Sequence, residues 1–420
     1  MSLKKDKMFY KFALYGFLKN LRLFEPFIIL FFRAGGLSFL QIGLLYSIRD
    51  LATNILEIPT GVYADAFGRR RSMVMAFGAY IASFVIFFLF PNFYVYALAM
   101  LCFALGEALR SGTHKALILE YLDLNQMQDL KVEYYGSTRA ASQFGSAINA
   151  LLAAALVFYT GDYRYIFVAT IIPYVLDLIN LASYPRELDG QLVEMHTGMI
   201  KEQMRATLKT FLSIFRDGAA MRAIMNSSSF TAFFKGSKEY LQPILKTFAL
   251  SLPVLLMVDE TQRSAVIIGG VYFVVYLLTS YSSKNSARFS KRFSDLSRAI
   301  NTTFLIGAAS LFVAGIALHY QWVIVSILVF VGFYVLQNLR KPMSVAFISD
   351  QISNRVMASG LSVEAQATTI IMAILAPLLG ALADRFGVAA GLAALGGLML
   401  LLSLLVRVRA ADTPGGQPVG

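Results

Sequence analysis

Glu107, Arg110 and His114 stand three and four residues apart inside a long apolar run, so a carboxylate, a guanidinium and an imidazole share one helical face. Groups of these types at that spacing pair, exchange partners and pass protons. Similar stripes recur along the chain. Lys19, Arg22 and Glu25 precede Pro26, which removes a backbone donor and predicts a kink. Asp50, Asn54 and Glu57 repeat at four and three residues, with Arg49 beside them. Lys235, Lys238, Glu239 and Gln242 form a stripe that ends at Pro243. Arg139 with Gln143, Asp177, Asn338 with Arg340 and Lys341, and Glu364 with Gln366 add polar groups to apolar surroundings. An ion near the centre of a bilayer costs several kcal/mol unless paired or hydrated, so each of these is a site hypothesis.

Glu25, Glu107 and Glu239 each lie within helical reach of a basic residue, so protonation would compete with a bound solute or an internal salt bridge. His114, Asp177 and Glu364 are the other candidates for carrying a proton. Permanent ion pairs that only position helices are the alternative, and the sequence leaves both open. Lys19, Arg22, Arg110, His114, Arg139, Lys235, Lys238 and Arg340 outnumber the mid-span acids, which points to an anionic or zwitterionic organic solute. Gln143, Gln242, Asn338 and Gln366 complete the expected lining. Tyr10, Tyr15, Tyr46, Tyr272, Tyr276 and Tyr334 offer amphipathic walls. Arg49, Asp50 and Glu57, just before Pro59, read as gate or fold ion pairs with the basic loop at Gly61 to Arg71, and Glu120, Arg340 and Asp350, close to helix ends, as structural groups.

The elements that must hold these groups are membrane helices. The chain is 57% hydrophobic with a mean hydropathy of +0.62, and its apolar runs of about 20 residues exclude a soluble globular domain. Runs centred near Leu14, Leu45, Ile81, Leu105, Ala150, Ile172, Phe230, Val274, Leu305, Ile327, Ile374 and Leu398 predict twelve spans. The first is expected to be retained, since the apolar run after Met1–Lys7 outlasts a cleavable signal core. Lys4, Lys5, Lys7, Arg69, Arg70, Arg71, Arg186, Lys201, Arg205, Lys209, Arg216, Arg288, Lys291, Arg292 and Arg355 fall on one side of the membrane. Only Arg33, Arg164, Arg263 and Arg385 fall near the other, so both termini are expected in the cytoplasm. That bias accounts for the net charge of +12 without nucleic acid. Cys102 stands alone, and His114, His196 and His319 lack paired ligand spacing, so neither a disulfide nor a metal is expected.

The longest polar interval, 185–222, separates an expected six-helix bundle over 1–184 from a second over 223–409, and residues 410–420 read as a disordered tail. Within the interval Met199, Met204, Leu208, Phe211, Leu212 and Phe215 recur at helical spacing among basic residues, predicting an amphipathic helix on the inner leaflet. The halves repeat each other. Glu25-Pro26 aligns with Gln242-Pro243, Ile42-Gly43 and Tyr46 with Ile268-Gly269 and Tyr272, Arg110 and Glu120 with Arg340 and Asp350, and Gln143 with Gln366, at offsets of 217 to 230 residues. The expected architecture is an all-α polytopic membrane protein built as two pseudo-symmetric bundles that face each other.

Between the second and third runs lies Gly61-Val62-Tyr63-Ala64-Asp65-Ala66-Phe67-Gly68-Arg69-Arg70-Arg71, which joins turn glycines, one acid and a basic run. It resembles the signature loop of the major facilitator superfamily, Gly-x3-Asp-x2-Gly-Arg-Arg/Lys, in that family's position. The resemblance implies that Asp65 caps a helix start in the other half, and that a motif arginine pairs with an acid ending the fourth span, Glu120 or Asp123. It implies a central cavity lined by spans 1, 2, 4, 5, 7, 10 and 11, where the charged stripes mainly fall. In the second half Lys291 stands opposite Asp65 and Ser294 opposite Gly68, so the acid cap is expected to be missing there. Span 5 has Gly136 and Gly145 but lacks the proline of multidrug antiporters.

The resemblance implies a monomeric secondary transporter of a bacterial inner membrane, moving a small solute by alternating access, without a cofactor. With no Gly-x4-Gly-Lys-Ser/Thr loop, the driving force is expected to be a gradient of protons, or of sodium. Proton-coupled export is the leading reading, proton-coupled import of a polar metabolite the alternative, and a non-transporting sensor or assembly partner a third. An enzyme is not expected, since no His-Glu-x2-His run or Ser/His/Asp arrangement is present.

Overall fold

A computed structural model describes residues 6–190, 192–194, 198–214, 218–351 and 357–409. Lys4, Lys5, His196, Phe215, Arg216, Arg355 and the expected tail fall outside them, as does the side chain of Asp350. Among the described residues the chain is helical and contains no strand.

Asp6 starts α1 (Lys7–Lys19) by accepting from the Phe9 N–H at 2.8 Å. The first span then breaks, more widely than Pro26 alone required: residues 20–24 are irregular, Glu25–Phe27 form a 3-10 turn, and α2 is Ile28–Ala34. The next helix, α3 (Phe39–Phe67), absorbs Pro59 and runs straight through Gly61, so the expected turn at that glycine does not form. Gly61 meets no neighbour that would require a glycine, whereas Gly68, at φ +102°, makes the turn into α4 (Arg69–Leu89). Asn92 caps α5 (Phe93–Arg110), and a left-handed Gly112 separates it from α6 (Thr113–Leu124). Two long helices follow, α7 (Lys131–Thr160) and α8 (Tyr165–Ala182). In the polar interval α9 is Met199–Ile214, with Lys201, Met204, Arg205 and Lys209 exposed.

The second half mirrors the first. The seventh span is broken as the first is: α10 (Gly218–Ser237), a 3-10 turn at Lys238–Tyr240, then α11 (Leu241–Ser251). It continues with α12 (Glu260–Lys284), short α13 (Ser286–Ser290), α14 (Leu296–His319), α15 (Val323–Gln351) and α16 (Met357–Leu405). The start of α14 is capped by an acid of its own, at a different position from the Lys291 that stands opposite Asp65. Asp295 stands next to the helix start and accepts from the Arg298 N–H at 2.8 Å.

Among the described residues eight helical stretches are long and apolar enough to cross a membrane, and the last, Ser362–Leu405, bends at Gly387 (φ +84°) and is long enough for two crossings. The remaining three of the twelve expected spans are α1–α2, α3 and α10–α11, which are interrupted or charged. They carry the stripes at Lys19 to Glu25, Asp50 to Glu57 and Lys235 to Gln242. Elsewhere Leu176, Ile179, Leu401, Leu404 and Leu405 point outward from the protein, as a lipid-facing surface requires.

Compact units cut across the halves. One contains residues 1–35, 48–203 and 253–276, the other 36–47, 204–252 and 277–420. Residues 36–47 thus group with the second half and 253–276 with the first. The cause is close backbone packing at aligned glycines. A Cβ on Gly43 would lie 2.3 Å from the Ala376 carbonyl, and one on Gly269 would lie 2.2 Å from the Ala154 side chain. Gly380 returns the first contact, 2.3 Å from the Phe39 carbonyl oxygen. Around it the Phe39 and Leu40 N–H groups donate to Asp384 at 2.9 and 2.8 Å, and Ser47 donates to the Ala373 carbonyl at 2.9 Å. The cores differ too. The first unit packs rings of Phe24, Phe31, Phe84, Phe87, Phe103 and Phe167 on one another, while the second combines a smaller ring cluster at Phe230, Phe304 and Phe333 with small residues set against backbone, such as Gly315 on Ala393 and Gly396 on Phe312.

Candidate functional site

In the first unit the break between α1 and α2 builds the site. Asn20 donates back to the Gly16 carbonyl at 2.7 Å and ends α1. The loosened backbone is then held by neutral side chains: Tyr174 on α8 donates to the Lys19 carbonyl at 3.2 Å, and Asn149 on α7 to the Arg22 carbonyl at 2.9 Å. Arg22, fixed in this way, donates to the Tyr174 hydroxyl at 2.9 Å and to Glu107 Oε1 at 2.6 Å. The other oxygen of Glu107 takes Arg110 at 2.5 Å, and Arg110 also donates to the Tyr80 hydroxyl at 3.0 Å. One carboxylate on the last turn of α5 therefore holds two guanidiniums. Glu25 stands 3.6 Å from Arg22 and accepts from the Tyr276 hydroxyl at 3.2 Å.

Lys19 and His114 adjoin this cluster. The Lys19 ammonium lies 6.0 Å from the Tyr15 ring centre. Tyr15 stacks on His114, centroids 3.6 Å apart and planes 15° from parallel, and His114 Nε2 lies 3.3 Å from the Tyr184 hydroxyl. Asp177 on α8 is fully buried: Asn180 donates to one oxygen at 3.2 Å, and the other meets no donor among the described residues.

The second unit gathers Lys238, Glu239 and Gln242 at its own break. Lys238 pairs with Glu239 at 2.8 Å, Gln242 donates to the other Glu239 oxygen at 2.7 Å, and Tyr334 holds the Lys238 carbonyl at 2.7 Å. Arg340 has a different setting. It is 2% exposed, donates to the Ile300 carbonyl, Thr303 and Asn226, and lies over the Phe230 and Phe304 rings at 4.6 and 5.2 Å. It forms no salt bridge among the described residues. Two further candidates have partners elsewhere in the second unit. Glu364 accepts from Ser227 at 3.0 Å, and Asn338 bonds back to the Tyr334 carbonyl of its own helix. Lys235 and Arg139 are exposed, and Gln143 and Gln366 half-buried.

At the signature loop Arg69 pairs with Glu120 at 3.1 Å. The Asp65 carboxylate is exposed, and the cap on α4 comes from Asp189, which accepts from the Arg70 N–H at 2.7 Å. Asp189 lies so close to Gly68 that a Cβ there would sit 2.7 Å from its carboxyl carbon. Gly190 (φ +70°) packs beside Arg69 and Glu120, the Val193 N–H donates to the Asp65 carbonyl at 3.0 Å, and Arg70 donates to the Ala182 carbonyl at 3.0 Å. Arg71 is exposed. The expected pairing of Arg49, Asp50 and Glu57 with this loop gives way to local partners. Arg49 pairs with Asp50 at 2.7 Å, and Glu57 accepts from Ser111. Twelve residues of helical rise, about 18 Å, separate Glu57 from Arg69. Asn149, Tyr80, Tyr174 and Asp189 are the participants that the charge pattern missed. The first three are neutral, and Asp189 lies in the polar interval.

A family model described as Major Facilitator Superfamily matches residues 20–367. A curated relative, the uncharacterized MFS-type transporter YxaM of Bacillus subtilis (strain 168), is 35% identical over 107 residues, 25% of this chain and 26% of that one. The match thus spans about a quarter of the relative's length. Among solved structures, the nucleoside transporter NupG aligns with a TM-score of 0.72 at 12% identity, covering 96% of this chain and 98% of that one. The peptide transporter POT in complex with sulfate gives 0.75 at 12%, covering 97% and 94%, and the D-xylose-proton symporter 0.71 at 16%, covering 97% of each chain. At these identities the likeness is one of fold.

Proposed function

The chain belongs to the major facilitator superfamily, and from that premise we propose a proton-coupled secondary transporter that exports a small anionic, zwitterionic or amphipathic organic solute by alternating access. The observation that carries this reading is the broken first span, which places Arg22 between Glu107 and Glu25 beside Lys19. Interrupted helices with charged residues at the break are a recurrent way to hold a solute or a coupling ion within a membrane. Two guanidiniums on one carboxylate form a cluster that can be re-divided, because protonation of a carboxylate loosens its hold on an arginine. Glu25 lies at the break itself and is our first candidate for the coupling proton, with Glu107, Glu239, His114, Asp177 and Glu364 behind it.

The transporter works as a monomer in a bacterial cytoplasmic membrane with both termini inside, and sodium is the alternative coupling ion. Uptake of a polar metabolite is the second reading. It draws on the same cluster, and the fold is shared with a D-xylose-proton symporter. Inverted vesicles carrying the protein, given an imposed proton gradient and a panel of labelled organic anions, zwitterions and neutral solutes, separate the two. Gradient-driven accumulation inside supports export, and gradient-driven loss supports uptake. Movement of every solute at the rate of empty vesicles would sink both.

A further inference from the structure

The cations of the first-unit cluster are not equivalent. Arg22 and Arg110 together occupy both oxygens of Glu107, and each spends a further donor on a tyrosine hydroxyl. Their charge is committed inside the protein. Lys19 is the last residue of α1 and half-buried, and among the described residues its side chain makes no hydrogen bond or ion pair. Its near neighbour is the Tyr15 ring, which is backed by the stacked His114. The carbonyl end of α1 offsets part of the ammonium's charge. A cation held within a membrane span still favours a counter-ion, and the described residues supply none at contact distance.

We propose that Lys19 determines the specificity of transport by taking the carboxylate of the cargo, a small organic acid, over the Tyr15–His114 stack. This rests on the transport reading above. A single ammonium is a compact point charge suited to one carboxylate, whereas a phosphate ester calls for paired guanidiniums, and here both guanidiniums are already engaged. Arg22 and Arg110 then act as positioning residues. They hold the break open and keep the surroundings positive without touching the cargo.

The test uses the purified full-length protein and matched probes at constant ionic strength: aliphatic and aromatic monocarboxylates, their carboxamides, inorganic phosphate with glycerol 3-phosphate, and neutral sugars and nucleosides. At least one carboxylate is expected to raise the melting temperature while its amide does not. Lys19→Arg should weaken that effect by roughly tenfold and Lys19→Gln abolish it. In the unmodified protein the same carboxylate should slow acylation of Lys19 by an amine-reactive ester, read by peptide mass spectrometry, without slowing that of Lys11. This arm needs no variant to fold. A carboxylate shift that survives in Lys19→Gln, amides as effective as acids, phosphate esters as the Lys19-dependent ligands, or no shift from any carboxylate would each overturn the proposal. A neutral solute that stabilises the protein regardless of Lys19 removes this role and leaves transport standing. Silence from every class, with flat vesicle traces, removes both.

Discussion

Arg110 and Arg340 stand 230 residues apart at matching places in the repeat, and the protein treats them in opposite ways. Arg110 sits where its helix stops, one residue before the Ser111–Gly112 break, and shares an ionised partner with Arg22. Arg340 sits inside an unbroken α15, wrapped in carbonyl, amide and hydroxyl oxygens and two phenyl rings. At the same offset Glu107 is answered by Gln337, so the second half lacks the acid as well as the break. An arginine that shares a carboxylate can change partners when that carboxylate takes a proton. One held by neutral dipoles has nothing to exchange. The duplication thus left one arginine suited to switching and one that ties α10, α14 and α15 together.

Replacing Arg340 sharpens this contrast most. Arg340→Met should cost about 3 kcal/mol or more, because Asn226, the Ile300 carbonyl and Thr303 lose their donor in a buried site. Thermal unfolding of the purified protein reads this directly. A near-native melting temperature would show that Arg340 is not the fastener described. Glu107→Gln should show the reverse balance. Side-chain exposures of 15–21% let water take over part of the lost pairing, so about 1–2 kcal/mol is expected. Gradient-driven transport should nevertheless fall by more than tenfold. Equal stability losses at the two sites would erase the distinction.

The helix starts make a smaller second comparison. The first-half helix α4 is capped by Asp189, 119 residues from the Arg70 that it holds, whereas α14 is capped by its own neighbour Asp295. Asp189→Ala and Asp295→Ala should each cost about 1 kcal/mol. Only the first should also raise the proteolytic sensitivity of residues 185–194, since only there does the cap tether a distant segment. The least effect is expected from pH. Burial alone would raise the Asp295 carboxyl, but hydrogen bonds from Ser297, the Arg298 N–H and Ser294, with the Arg298 charge, hold it below its usual range. A depressed carboxyl stabilises above its unfolded value and loses that contribution as pH falls through its folded one. The melting difference between wild type and Asp295→Ala should therefore shrink only in acid, below about pH 4. A constant difference down to pH 2 would count against ionic capping.

Much of the fold was legible because bilayer-spanning helices must be apolar and long. The twelve runs gave the spans, and Pro26 and Pro243 marked both broken ones. Gly43 and Gly269 were legible as aligned positions of the repeat, but their close contacts with Ala376 and Ala154 were not. The site was legible as a set of charges but not as a wiring. Nothing in the spacing said that Glu107 would take both arginines and leave Lys19 aside, because that depends on how neutral Tyr174 and Asn149 grip the break. Charge counting passes over such residues. It also read Gly61 as a turn, although helical continuity through Phe67 left the turn to Gly68 alone.

Gly43 on Ala376 and Gly380 on Phe39 leave bare backbone facing bare backbone along the start of α3. Such a joint has the qualities of a plain bearing. No interlocked side chains must leave their rotamer wells before the helices slide, and no side-chain entropy is spent when they close. Polar catches on this bearing include Asp384 on two N–H groups and Ser47 on one carbonyl. Part of the friction along this stretch thus lies in three hydrogen bonds that two point substitutions can remove.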